Sequence, residues 1–78
     1  MTFEKDKRYP SAVKGRYYRV TMRFRVQDTD CLLVRPDRPG MIFGMTSRYY
    51  PAVIEPDGKR ATVLLDEGFT TIYADEEM

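Results

Sequence analysis

The chain has 78 residues, of which 42% are hydrophobic and 13% aromatic, and its 13 Lys/Arg and 12 Asp/Glu give a formal net charge of +1, which predicts one small domain with a single core. A lone cysteine, Cys31, and the absence of histidine exclude a disulfide framework, a cysteine-based zinc site and histidine-dependent catalysis. The charged first residues and the lack of an apolar run of about 18 residues predict an intracellular protein with no membrane span. We also expect no metal and no cofactor.

The charges are unevenly distributed along the chain. Residues 1–50 hold eleven Lys/Arg and five Asp/Glu, or +6, whereas residues 51–78 hold two and seven, or −5. Three uses of this asymmetry stay open: the basic half contacts nucleic acid, the acidic half contacts a cationic peptide, or the two halves face each other.

Residues 1–14 are polar, charged and interrupted by Pro10, so we expect a flexible N-terminal arm, followed by a single domain over residues 15–78. Tyr17 to Val26 then alternates strictly, which predicts a strand with one buried face. The apolar face of this strand has these members: Tyr18, Val20, Met22, Phe24 and Val26. The opposite face has these: Tyr17, Arg19, Thr21, Arg23 and Arg25.

The next segments read as a turn, a strand and a loop. Residues 27–30 are of turn composition, and Cys31 to Arg35 is an apolar strand that can pair back on the first one. Two prolines in residues 35–40 predict a connecting loop. Met41 to Met45 is a short strand.

The last part of the chain predicts two consecutive hairpins. Tyr50 to Ile54 is joined to residues 59–65 by Pro56-Asp57-Gly58, in which Gly58 supplies the positive φ of a hairpin turn. Residues 66–68 form a second tight turn before a strand over residues 69–74, and residues 75–78 are a polar end. Short strands with frequent turns and no helical period predict an all-β fold, a small barrel of about five to six antiparallel strands.

Residues 41–78 resemble a Tudor domain, an SH3-like barrel of the methyl-reader superfamily. The segments that carry the resemblance are Phe43, Tyr49-Tyr50-Pro51-Ala52-Val53-Ile54, Asp57-Gly58-Lys59-Arg60, Thr62-Val63-Leu64-Leu65 and Asp66-Glu67-Gly68-Phe69. The resemblance implies an SH3-like, Tudor-like barrel that binds a methylated lysine or arginine, or another cationic peptide such as a histone tail. It also implies a role in chromatin and a nuclear location.

In that family an aromatic cage with one anion holds the ligand. Carried over by position, the walls are Phe43, Tyr50 and Phe69, and Glu67 is the anion. Aromatic faces suit a methylated ammonium because it has few hydrogen bonds to make. The chain departs from the lysine-reading pattern at Leu65, where those members usually carry another aromatic. The alternative is that the three rings simply pack in or around the core.

The arginine-rich strand supports a second hypothesis. Tyr17, Arg19, Arg23 and Arg25 on one face would form a cationic ladder with one stacking ring for nucleic acid. The alternative is an ordinary solvated face. A long exposed strand edge would instead favour self-association as a homodimer.

The chain also has a faint similarity to plasmid-borne type II dihydrofolate reductases. Those enzymes carry Val-Gln-Ile-Tyr where this chain has Thr70-Thr71-Ile72-Tyr73, so half of that motif differs. The acidic residues lie in turns and at the end of the chain, where little raises a carboxyl pKa. We therefore expect a non-catalytic binding module.

Overall fold

The computed structural model describes residues 3–37 and 48–74, which form one antiparallel sheet. The strands are β1 Arg8–Pro10, β2 Tyr17–Val26, β3 Thr29–Pro36, β4 Tyr50–Ile54, β5 Arg60–Leu65 and β6 Gly68–Tyr73. Their order in the sheet follows the chain, and no helix occurs among the described residues. The prediction of an all-β fold is therefore confirmed.

The sheet curls until its two ends meet. Ser11, just after β1, forms a bridge with Ile72 of β6, and the Ala12 amide donates to the Thr71 carbonyl at 2.8 Å. This contact makes the sheet a curled half-barrel with an inner and an outer face, which is consistent with a small SH3-like barrel. The predicted strand over Met41 to Met45 and the polar end over residues 75–78 lie outside the described residues.

The hairpin turns follow from local chemistry. Gln27 and Asp28 join β2 to β3 as a two-residue turn with φ of 50° and 34°, because a primed turn with positive φ matches the twist of a hairpin. At the β4–β5 turn, Gly58 has a φ of 72° and its amide donates to the Glu55 carbonyl at 2.9 Å, as predicted. Asp66 and Glu67 form the predicted turn between β5 and β6.

Asp57 orders the β4–β5 turn through its side chain. Its Oδ1 accepts the amides of Lys59 at 2.8 Å and Arg60 at 3.3 Å. The Lys59 hydrogen bond, assisted by the Arg60 charge, holds the pKa of the Asp57 carboxyl below its ordinary value of 3.8. The ionised carboxylate is therefore favoured in the folded state over the unfolded state.

The Asp57 interaction predicts a pH dependence. A depressed folded pKa stabilises the fold above the ordinary carboxyl pKa, and this contribution is lost as the pH falls through the folded value. We expect Asp57→Asn, which keeps an acceptor oxygen, to flatten the acid side of a plot of thermal unfolding midpoint against pH between about pH 5 and 2. An unchanged slope in the variant would contradict this assignment.

The core lies on the inner face and includes the N-terminal residues. Its buried members are Phe3, Tyr9, Tyr18, Val20, Leu32, Val34, Ala52, Ala61, Val63 and Ile72. The rings of Phe3 and Tyr9 pack edge to face at 5.0 Å, and the Glu4 amide donates to the Tyr9 hydroxyl at 2.7 Å. The prediction of a flexible arm over residues 1–14 is wrong for the described part, because Phe3 and Tyr9 are core residues and β1 pairs with β2.

A β-bulge divides β2 into two halves. Val20 pairs with Val34 and Met22 with Leu33, so Thr21 has no partner of its own, and its hydroxyl donates to the Leu33 carbonyl at 2.8 Å. An extra residue in one strand moves every later side chain to the opposite face.

Because of the bulge, the prediction that the apolar residues of β2 all share one buried face is wrong beyond Val20. Tyr18 and Val20 face the core as predicted, whereas Met22 and Val26 lie on the outer face and are each 52% exposed. Phe24 shares that outer face, opposite Cys31. Cys31 is buried yet lies outside the core cluster, because it belongs to the same outer face.

Candidate functional site

Three arginines lie side by side on the outer face. The register pairs Arg8 of β1 with Arg19 of β2, and Arg19 with Arg35 of β3. Directly opposite residues in an antiparallel sheet share a face and have Cβ atoms about 5 Å apart. Because the neighbouring residues Tyr9, Tyr18 and Val34 are buried in the core, these three residues, the arginine row, face outward.

One carboxylate and one ring contact the arginine row. Arg19 binds Asp37 Oδ2 through Nη2 at 2.7 Å and Nε at 2.8 Å, and it donates to the Asp6 carbonyl at 2.6 Å. The guanidinium of Arg8 lies 4.9 Å from the centre of the Tyr17 ring, which is a cation–π contact. Neither Arg8 nor Arg35 makes an ion pair with a described residue.

The electrostatics of the row are unfavourable for the sheet by itself. Like charges directly opposite each other destabilise an antiparallel pair by several tenths of a kcal/mol. Asp37 offsets one of the three positive charges, so a charge of about +2 remains on half-buried side chains. An anion placed across the row would relieve this repulsion.

The structure separates the four residues of the predicted cationic ladder. Arg19 belongs to the arginine row, and the Tyr17 ring contacts Arg8 of the same row. Arg23 and Arg25 lie on the inner face beyond the bulge, where they pair with Asp30 at 3.9 Å and 3.4 Å. The prediction that all four share one face is wrong, because Thr21 is a bulge residue.

Sequence reasoning missed Arg8 and Arg35 as site residues. Arg8 lies in a segment that we expected to be an arm, and Arg35 ends a strand. Only the pairing register brings them beside Arg19, and no pattern within one segment reveals a register between two.

Two of the predicted cage rings, Tyr50 and Phe69, lie on opposite faces of the described sheet. Tyr50 is opposite Val34 and packs against the core, whereas Phe69 is opposite Leu64 on the outer face and is 70% exposed. Glu67 is exposed in the β5–β6 turn. Leu65 packs against the core, and Phe43 lies outside the described residues.

Other chemistry is sparse in the described part of the chain. Burial raises the pKa of the Tyr18 phenol, and the charge of Arg16 partly opposes this, so the phenol stays neutral at ordinary pH. Residues 3–37 and 48–74 contain no group of three acidic, cysteine or histidine side chains that could hold a metal ion. They also contain no helix long and apolar enough to cross a membrane.

Comparison of the chain with protein-family models, curated proteins and solved structures finds no match.

Proposed function

We propose that this protein is a binding module that holds single-stranded nucleic acid on the outer face of β1, β2 and β3. The observation that carries the proposal is the alignment of Arg8, Arg19 and Arg35 across three neighbouring strands. The repulsion between these opposed like charges destabilises the free sheet, and the phosphates of a bound polyanion compensate the charge.

The geometry suits a phosphate backbone with loose base contacts. Guanidinium groups present planar donors that match phosphate oxygens. Tyr17 lies on the same face beside Arg8, where a base can stack on aromatic surface for about 1–3 kcal/mol. Lys14 and Arg16 are exposed in the connection from β1 to β2 and extend the positive surface. We infer no base-specific readout.

The test measures the binding of a fluorescent single-stranded oligonucleotide by anisotropy at several salt concentrations. Contacts with two or three phosphates predict a slope of about −1.4 to −2.1 in log K against log salt. Charge reversal in Arg35→Glu is expected to weaken binding about tenfold or more at low salt. It should also make the slope shallower by about 0.7 or more, which is the contribution of one phosphate contact.

The matched control is Arg25→Glu. Arg25 is also an arginine of β2 with an exposed side chain, but it lies on the inner face of the sheet. The proposal predicts unchanged affinity for this variant. Equal loss in both variants would show that net charge alone drives binding, and would contradict the role of the arginine row.

The methyl-reader interpretation is a second, weaker proposal. It keeps one favourable observation, the large exposure of Phe69 close in sequence to Glu67, while Tyr50 faces the core. Trimethyl-lysine and dimethylarginine peptides, titrated under the same conditions, separate the proposals. Binding that Phe69→Ala abolishes and Arg35→Glu preserves would favour the reader over the nucleic-acid module.

A further inference from the structure

A row of apolar side chains lies beside the arginine row on the outer face. The register pairs Met22 of β2 with Leu33 of β3, and Leu33 with Pro51 of β4. Met22 is 52% exposed, Pro51 is exposed and Leu33 is half-buried. These three residues, the apolar row, therefore present accessible apolar surface on three neighbouring strands.

The two rows are neighbours on β2 because of the bulge. On β3, Arg35 and Leu33 are two residues apart, which is about 7 Å along a strand. On β2, the extra residue Thr21 turns Met22 to the outer face, the face that also carries Arg19. Bulges re-aim side chains in this way beside functional sites. A strip of positive charge therefore borders a strip of apolar surface on β2 and β3.

This pair of surfaces matches the two parts of a nucleotide. Phosphates carry the negative charge, whereas every unpaired base presents a π-face. The side chains of the apolar row have no donor or strong acceptor that could read the edge of a base. The flexible thioether of Met22 adapts to rings of different shape. The apolar row therefore suits unpaired bases of any sequence.

We propose that the apolar row is the base-binding subsite of the nucleic-acid site. The phosphates of a single strand lie on the arginine row, and its bases lie across Met22, Leu33 and Pro51. This inference rests on the nucleic-acid function proposed above, and it supplies the reason for a single strand. Arginines alone attract the phosphates of any nucleic acid, whereas the apolar row contacts only bases that are not paired and stacked inside a duplex.

The test compares two fluorescent probes that carry the same number of phosphates, a single strand of about eight nucleotides and its abasic counterpart. Anisotropy should show the probe with bases binding at least about fivefold more tightly. The slope of log K against log salt should be the same for both probes, because they share the phosphate contacts. Arg35→Glu should weaken the binding of both.

Met22→Ser separates the bases from the phosphates, because it removes apolar surface without altering charge. It is expected to weaken the binding of the probe with bases by at least about threefold and to leave the abasic probe unaffected. Val26→Ser is the matched control. Val26 is also 52% exposed on the outer face of β2, but it lies about 13 Å beyond Met22, away from the arginine row. This control should leave both affinities unchanged.

The outcomes distinguish this inference from the proposed function. Equal binding of the two probes, with both weakened by Arg35→Glu, would keep the proposed function and overturn this inference, as would equal losses in Met22→Ser and Val26→Ser. Binding of neither probe would overturn both. Dimerisation in sedimentation velocity that Met22→Ser abolishes, with no change in the difference between the probes, would assign the apolar row to a second copy of the chain and overturn the inference.

Discussion

Replacing Phe3 with alanine is expected to lower the free energy of unfolding by about 3–5 kcal/mol. Phe3 is 0% exposed and belongs to the core cluster, and its ring packs against Tyr9. Because the ring is fully buried, its removal leaves a cavity in the core. For a domain of this size, such a loss approaches the whole stability.

The measurement is urea unfolding followed by circular dichroism, and Phe69→Ala is the matched control. Phe69 is 70% exposed, so the same chemical change on the outer face should alter stability by less than about 0.5 kcal/mol. Equal stability of Phe3→Ala and the wild type would show that the N-terminal residues do not belong to the core. A large loss in Phe69→Ala would contradict its outward position.

The second large effect is expected at Leu32. This side chain is 0% exposed on the inner face, and it lies opposite Ala52 at the centre of the sheet. Leu32→Ala should destabilise the protein by about 2–5 kcal/mol. Its neighbour Leu33 faces outward and is only half-buried, so Leu33→Ala should cost less than about 1.5 kcal/mol.

The pair of leucine variants tests the alternation of faces along β3. The same urea titration gives both values, and the difference between them is more informative than either alone. A larger loss of unfolding free energy in Leu33→Ala than in Leu32→Ala would show that the core lies on the face of Leu33 and not on the inner face. It would also remove the basis for placing Arg35 on the outer face.

Much of the fold follows from local sequence chemistry. β2 was predicted with its observed bounds because its alternation is long. The β4–β5 turn was predicted because Gly58 takes a positive φ and Asp57 can bond the backbone. β1 was missed because three residues ending in Pro10 carry no detectable period, and β1 is held in place by its pairing with β2.

The bulge could not be predicted from the pattern. Thr21 is a β-branched residue within an unbroken alternation, so nothing local distinguishes it from a paired residue. Its consequence is large, because it separates Arg19 from Arg23 and Arg25. The candidate site depends on this irregularity and on two strand registers, which are properties of the folded sheet and not of any single segment.

The most direct test of the central claim is a titration of the isotope-labelled protein with a single-stranded oligonucleotide, followed by two-dimensional NMR of backbone amides and arginine Nε–H groups. The account predicts the largest shifts at Arg8, Arg19 and Arg35, with little change at Arg23 and Arg25. Shifts concentrated at Arg23 and Arg25, or no shifts at any of the five arginines at low salt, would contradict it.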